Sequence, residues 1–331
     1  MQNSHSKLTS LTDVPSFGTM TSCVLVVGGS GFIGHNLCQW LSSAKVKVVN
    51  LDCRVPRRPI PGVIFVEADA TSVADLERAF ANSAPTTVFH LAANSDIAAG
   101  ASDASFDFRD TLNSTVALRQ VVEHFPVEQF VFASSSAVFG ISESRLDETK
   151  AQRRLPISWY GHAKLASEYV LESLSNLQPN MKMLFVRFPN VVGPMATHGV
   201  VHDFIQKLCR DPLNLHILGD GNQSKPYIHV GELIRALVFL MGWVQPGVSV
   251  FNVGPEDAIS VREIADVVCR KMNLNPTLHF GDSPQGWLGD IPTYLFNTEK
   301  MRRIGFSIEL SSLEAVELSI SQLLGELNRN R

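Results

Sequence analysis

The stretch Cys23-Val24-Leu25-Val26-Val27-Gly28-Gly29-Ser30-Gly31-Phe32-Ile33-Gly34 constrains the fold more than any other. A short apolar run meets a glycine-rich turn, and a helical pattern follows from Phe32 to Ser43. Gly28, Gly31 and Gly34 have GxxGxxG spacing, and each glycine has a separate task. The first permits a tight turn, the second lets a diphosphate approach the backbone, and the third lets the helix pack close to the strand. The free N–H groups and positive dipole end of that helix then face the phosphates. Strand, glycine turn and helix in this order predict a dinucleotide crevice in a parallel sheet.

The rest of the first half repeats the strand–helix rhythm. Apolar runs occur at Val46–Leu51, Val63–Val66, Thr87–Phe89, Phe130–Phe132 and Met183–Val186. Helical stretches fall at 72–81, 106–124 and 159–175. Short continuous runs alternating with helices predict an α/β fold of Rossmann type, a doubly wound parallel sheet covered on both faces. Beyond about residue 187 prolines and glycines become denser, which predicts a smaller C-terminal substrate-binding lobe. Ser260 with Glu263 has capping-box spacing, and a last helix spans about 311–327. The expected division is a flexible extension over 1–20, with Met20 offering an alternative start, and a nucleotide-binding domain over 21–186. Residues 227–253 return to that domain, while 187–226 and 254–331 form the lobe.

A chain of 331 residues can hold both units. Its 28 Lys and Arg against 32 Asp and Glu give a net charge of −4, so charge offers no reason to expect nucleic acid or an anionic membrane as partner. No apolar run reaches the roughly 18 residues of a membrane helix, and residues 1–20 lack the apolar core of a secretory signal. Cys23, Cys38, Cys53, Cys209 and Cys269 are scattered without a CxxC pair. The expectation is therefore no disulfide framework, no metal site, and a reducing cytoplasm.

Asp52 closes the second apolar run, 18 positions after Gly34. A carboxylate there accepts both ribose hydroxyls and repels a 2′-phosphate, which favours NAD over NADP. Arg54 pulls the other way, because an arginine welcomes that phosphate. Asp69 either reaches the adenine amino group or caps the helix near Thr71. Tyr160-Gly161-His162-Ala163-Lys164 is YxxxK, which puts Tyr160 and Lys164 on one helix face. A phenol titrates at about 10, a neighbouring ammonium lowers it and the positive ring of an oxidised nicotinamide would push the same way, so the pair is expected to supply a base near neutral pH. Phe132-Ala133-Ser134-Ser135-Ser136-Ala137-Val138-Phe139-Gly140 ends a strand in three hydroxyls at the carboxyl edge of the sheet, where such folds bind ligands. A serine there can bond the substrate oxygen that Tyr160 deprotonates. His90, ending a core strand, reads as structural, and His162 points away from the shared face.

These motifs together resemble the extended short-chain dehydrogenase/reductases, the family of nucleotide-sugar epimerases and dehydratases. The likeness spans residues 23–305. It includes GGSGFIG, HLAA at His90–Ala93, Asn113, SSSAVFG, YGHAK, RFPNVVGP at Arg187–Pro194, GDGNQSKPYIHV at Gly219–Val230 and FNVG at Phe251–Gly254. The resemblance implies catalysis by Ser135, Tyr160 and Lys164. It implies NAD held by Gly28, Gly31, Phe32, Ile33, Gly34, Asp52, Asp69, Ala70, Leu91, Ala92, Ala93, Tyr160 and Lys164. It puts Ser135, Ser136, Tyr160, Asn190, Lys225 and Asp290 against the sugar nucleotide. Two departures stand out: Lys225 occupies a position where the family often has arginine, and Trp287 precedes Gly289-Asp290 where it has another.

Members of the family begin by oxidising a sugar hydroxyl to a keto sugar. Dehydratases then need an Asp-Glu pair, at positions held here by Ser136 and Ala137. Serine and alanine relay no proton, so the expected activity is a 4-epimerase of UDP-hexoses; SSSAVFG is similar to the SSSATVYG of UDP-galactose 4-epimerases. The alternatives are a dehydratase or reductase of the same fold and a non-catalytic NAD-binding protein. The resemblance also implies a homodimer. Phe106, Phe108, Leu112, Val116, Val121 and Val122 of one helix and Tyr169, Val170, Leu171 and Leu174 of another would form a four-helix bundle with their mates.

Overall fold

The computed structural model describes residues 23–94, 103–142, 144–149, 155–287 and 289–329. The expected N-terminal extension over 1–20 lies outside them. Seven parallel strands form the central sheet: β1 (Cys23–Val27), β2 (Lys47–Asp52), β3 (Val63–Glu67), β4 (Pro85–His90), β5 (Gln129–Ala133), β6 (Lys182–Arg187) and, last in the chain, β11 (Gly247–Asn252). Their spatial order is β11-β6-β5-β4-β1-β2-β3. All five residues of β1 are buried, as its central place requires, whereas β3 at the edge leaves Ile64 half-exposed. The expected doubly wound Rossmann-type sheet is thus present.

Each face of the sheet has its own core. On one, Leu37, Cys38 and Leu41 of α1 (Phe32–Ser43) pack with Leu233, Leu237 and Leu240 of the Val230–Trp243 helix. On the other, Leu76 and Phe80 of α2 (Val73–Ser83) meet Leu118, Val121 and Val122 of the Ser114–His124 helix. A third cluster lies in the C-terminal part, around Phe204, Ile264, Val268 and Ile320. Three small pairings stitch that part together: β7 (Asn190–Val192) with β10 (Tyr227–His229), β9 (Ser224–Lys225) with β12 (Ile259–Ser260), and β8 (Asn214–Ile217) with β13 (Thr277–Phe280). The Ser260–Glu263 capping box forms as its spacing predicts. None of the described helices is long and apolar enough to cross a membrane.

Two helices depart from their expected continuity. Over 106–124 the chain makes a short helix (Ala104–Asp107), a π-helical turn (Phe108–Asn113) and then the Ser114–His124 helix. The wider turn places the Thr111 hydroxyl where it accepts the Asn94 N–H at 3.1 Å, and leaves Asn113 exposed. The helix expected over 159–175 stops at Glu172, with a further turn at Leu174–Leu177.

The strand order reverses between β1 and β4. At that point the N–H groups of Leu91 and Ala92, just past β4, both donate to the Val27 carbonyl at 2.9 Å. The crevice at such a reversal is the ligand site of open parallel sheets.

Candidate active site

The glycine turn sits in this crevice. Gly28 has φ +89°, and a Cβ there would lie 2.6 Å from the Ala92 nitrogen. A Cβ on Gly34 would lie 2.2 Å from the Gly28 carbonyl oxygen, so helix and turn meet only because residue 34 is glycine. Gly31 is less confined: a Cβ there would meet only the Gly28 carbonyl oxygen, at a tight 3.3 Å. Gly31 is also the N-cap of α1 and provides no side-chain cap. An uncapped helix start behind a position without a side chain fits a diphosphate. Phe32 and Ile33 occupy the first turn and are partly exposed.

Asp52 ends β2 beside the turn and is buried. Its carboxylate accepts N–H bonds from Ser30 at 3.0 Å and Arg54 at 2.9 Å, which ties the end of β2 to the glycine turn. The Arg54 side chain is 72% exposed, with its Nε 3.9 Å from the Asp52 carboxylate. Asp69 is exposed and bonds the N–H and hydroxyl of Thr71, while Ser72 caps α2. Ala70, Leu91, Ala92 and Ala93 are all partly exposed along the same carboxyl edge.

The other half of the site is built on β5 and the Trp159–Glu172 helix. Ser135 caps the turn Ser136–Phe139 by accepting the Ala137 N–H at 3.1 Å. Ser158 caps the helix. A Cβ on Gly161 would lie 2.4 Å from the Ala137 carbonyl oxygen, so Gly161 lets the helix start dock onto the serine turn. Tyr160 is thereby brought beside Ser135, whose hydroxyl acts to lower the phenol's pKa. Burial outweighs that bond, with a smaller push from Asp107, and raises the phenol to about 12. Lys164 is 2% exposed, donates to the Ala133 carbonyl at 2.6 Å, and lies 5.8 Å from the centre of the Tyr160 ring. Burial lowers it to about 7, partly opposed by Glu168. Desolvation thus works against the charged form of both partners of YxxxK, and the push expected from a positive nicotinamide ring is the charge that would oppose it at the phenol.

Both histidines are spent on structure. His90 is fully buried against Thr115, and burial with the charge of Lys164 pushes it down to about 3. His162 bonds the Ser158 carbonyl and packs on Trp159.

Ser136 reaches the C-terminal part: its hydroxyl is 2.9 Å from the Tyr294 hydroxyl. Lys225 and Asp290 form a close ion pair with each other, and Asp290 also accepts the Gly286 N–H at 3.3 Å. Asn190 is exposed at the start of β7. Trp287 is partly buried beside Gly289.

Three features escape the sequence reading. Tyr294 is 158 positions from Ser136, and no local pattern links them. Asp107 is 1% exposed, bonds the Asn94 side chain at 2.9 Å, and faces Tyr160 electrostatically. Glu168 is buried and paired with Arg187. Its signal is present in the sequence, since it continues the Tyr160–Lys164 spacing by one more turn.

A family model described as the NAD dependent epimerase/dehydratase family matches residues 24–254. A putative UDP-glucose 4-epimerase of Methanocaldococcus jannaschii is 24% identical over 316 residues, covering 93% of this chain and 99% of its own. Among solved structures, a UDP-galactose 4-epimerase is 29% identical with a TM-score of 0.80, covering 92% of this chain and 99% of its own. The Thermus thermophilus UDP-glucose 4-epimerase in complex with NAD is 26% identical with a TM-score of 0.81 and the same coverage.

Proposed function

The chain belongs to the NAD-dependent epimerase/dehydratase family, and from that footing we propose that it is a nucleotide-sugar 4-epimerase. The substrate is a UDP-hexose such as UDP-glucose or UDP-galactose, and the path runs through a transient 4-keto sugar. The observation that carries this reading is the pairing of Ser136 with Tyr294 and the presence of Ala137 next to it. The positions that must move a second proton for elimination hold a hydroxyl engaged with a phenol and a methyl group. Burial raises the Tyr294 phenol well above its ordinary value, so it is no acid for that step.

In this reading Tyr160 removes the proton of the C4 hydroxyl and returns it, and Ser135 bonds the same oxygen. Bound NAD supplies the hydride acceptor and a positive charge beside the phenol. Lys164 bonds the nicotinamide ribose and holds Tyr160 in place. Gly28, Gly31, Gly34, Phe32 and Ile33 cradle the diphosphate, and Asp52 takes the adenosine ribose. Asp69, Ala70, Leu91, Ala92 and Ala93 line the remaining cofactor contact. Asn190 and the Lys225–Asp290 pair hold the sugar nucleotide, with Asp290 orienting the lysine. Residues 21–186 with 227–253 serve the cofactor, and 187–226 with 254–331 serve the substrate.

The test is incubation of the purified protein with UDP-galactose or UDP-glucose and no added cofactor. The C4 configuration is expected to equilibrate; absence of conversion with retained NAD counts against the reading. Asp52→Asn is expected to relax the preference for NAD over NADP by about tenfold, or ~1.4 kcal/mol, because the charge that repels a 2′-phosphate is gone. Competitive binding of the two cofactors measures it, and an unchanged ratio assigns discrimination to Arg54 or another residue.

A homodimer and a cytoplasmic location complete the proposal. Val121, Val122, Leu171 and Leu174 are fully buried in the chain's own core, so they are not the dimer surface. Phe106, Trp159 and Tyr169 remain exposed on the same pair of helical segments and support that surface. Light scattering at micromolar concentration is expected to give twice the 36.3 kDa chain mass; a single-chain mass contradicts it. The free cysteines, Cys23 and Cys38 among them buried, suit a reducing compartment.

A further inference from the structure

The Trp159–Glu172 helix carries three functional groups on one face, not two. Tyr160, Lys164 and Glu168 follow one another at four-residue spacing. Glu168 is 6% exposed, so its carboxylate needs partners to stay charged. Arg187, at the end of β6, grips it with a fork: Nε to Oε1 at 2.9 Å and Nη2 to Oε2 at 2.6 Å. Ser134 donates its hydroxyl to Oε1. Arg187 is held in turn by the Glu148 carbonyl at 2.9 Å and by the Phe139 ring at 5.1 Å.

This clamp meets Lys164 at the end of β5. Lys164 donates to the carbonyl of Ala133, and the next residue, Ser134, donates to Glu168. Lysine and carboxylate are therefore pinned to successive residues of one strand end as well as to successive turns of one helix. Among the described residues, the other groups shown beside Lys164 offer it no anion. On its own helix Tyr160 is a neutral phenol. From β4 comes His90, neutral and deeply buried; from β5 come the Ala133 carbonyl and the Phe132 ring at 4.8 Å. Arg187 on β6 is engaged with Glu168, and Asp107 acts on Tyr160.

We propose that Glu168, held by Arg187 and Ser134, is the positioning residue that keeps Lys164 in its ammonium form and aimed at the Tyr160 phenol. The role rests on Lys164 acting as proposed above, but it is expressed in the protein without substrate. Burial drives Lys164 towards its neutral amine, and Glu168 is the charge that opposes this. An amine would neither favour the phenolate nor bond a ribose hydroxyl as a cation does.

The test reads Lys164 directly. In protein labelled with ¹³C-lysine, the resonance lost in Lys164→Met identifies the residue, and its titration is followed by NMR. In Glu168→Gln that titration is expected to move down by about one pH unit or more. In Arg187→Lys, which keeps the carboxylate and a cation beside it, the titration is expected to stay within a few tenths. If Glu168→Gln does not fold, the double variant Glu168→Gln/Arg187→Met removes both buried charges and is expected to show a smaller movement in the same downward direction. A Lys164 titration unchanged by loss of the carboxylate overturns the proposal, even where stability falls. Because no substrate is present, a failure to epimerise UDP-hexoses leaves this result standing, and the two readings fail separately. With an active substrate, the alkaline limb of the pH–rate profile is expected to move down with the lysine in Glu168→Gln and to stay put in Arg187→Lys.

Discussion

Tyr160→Phe is expected to cut turnover by about 10²–10⁴-fold, the usual cost of losing a general base, while the protein still retains NAD. The separation follows from where the two functions sit. The glycine turn and Asp52 belong to β1 and β2, on one side of the strand-order reversal, and tie to each other through Ser30. Tyr160 stands on the other side, on a helix whose first turn docks against the serine turn through Gly161. Removing one hydroxyl leaves the ring's position in the helix intact. It deletes the atom that contacts Ser135 and accepts the substrate proton. Cofactor absorbance after desalting reads the first function and steady-state turnover the second. Activity within a few-fold of the parent would remove Tyr160 from the role of base.

Arg187→Met is expected to destabilise the protein by about 3–5 kcal/mol at neutral pH, because it strands the buried Glu168 carboxylate. The two side chains are only 5% and 7% exposed, so solvent cannot replace the lost guanidinium. The loss has a definite pH dependence. An unpaired buried carboxylate takes up a proton more readily in the folded chain than in the unfolded one. The folded variant then binds more protons than the unfolded, so its stability rises as pH falls. The deficit against the parent is therefore largest at neutral pH and shrinks towards acid. Denaturant unfolding at several pH values measures both, and a loss under about 1 kcal/mol would mean that the pair contributes little beyond its replacement.

The parts of the site legible in the sequence are those built from neighbours along the chain. Gly28, Gly31 and Gly34 announce the turn because close approach of helix, turn and Ala92 leaves no room for a Cβ at the first and third positions. Ser260 and Glu263 announce their capping box for a similarly local reason. Tyr160 and Lys164 share a helix face by spacing alone. What the sequence hides is long-range or depends on solvent. The Ser136–Tyr294 contact joins residues 158 apart, and the Lys225–Asp290 pair residues 65 apart. A π-helical turn cannot be read from hydrophobic spacing, and this one turns Thr111 inward and leaves Asn113 exposed. The burial that raises Tyr160 and lowers Lys164 belongs to the packed protein and to no motif. Glu168 lies between these cases: its spacing is visible, but a glutamate on a helix ordinarily marks a solvated face.

The central claim is that the keto sugar is turned over and reduced again, with nothing eliminated. Ser136, held by Tyr294, and Ala137 provide no acid or base for losing water or carbon dioxide. Mass spectrometry with NMR of the product formed from a UDP-hexose tests this most directly. The predicted product is the C4 epimer, with a mass equal to that of the substrate. A product lighter by one water or one carbon dioxide would contradict the claim.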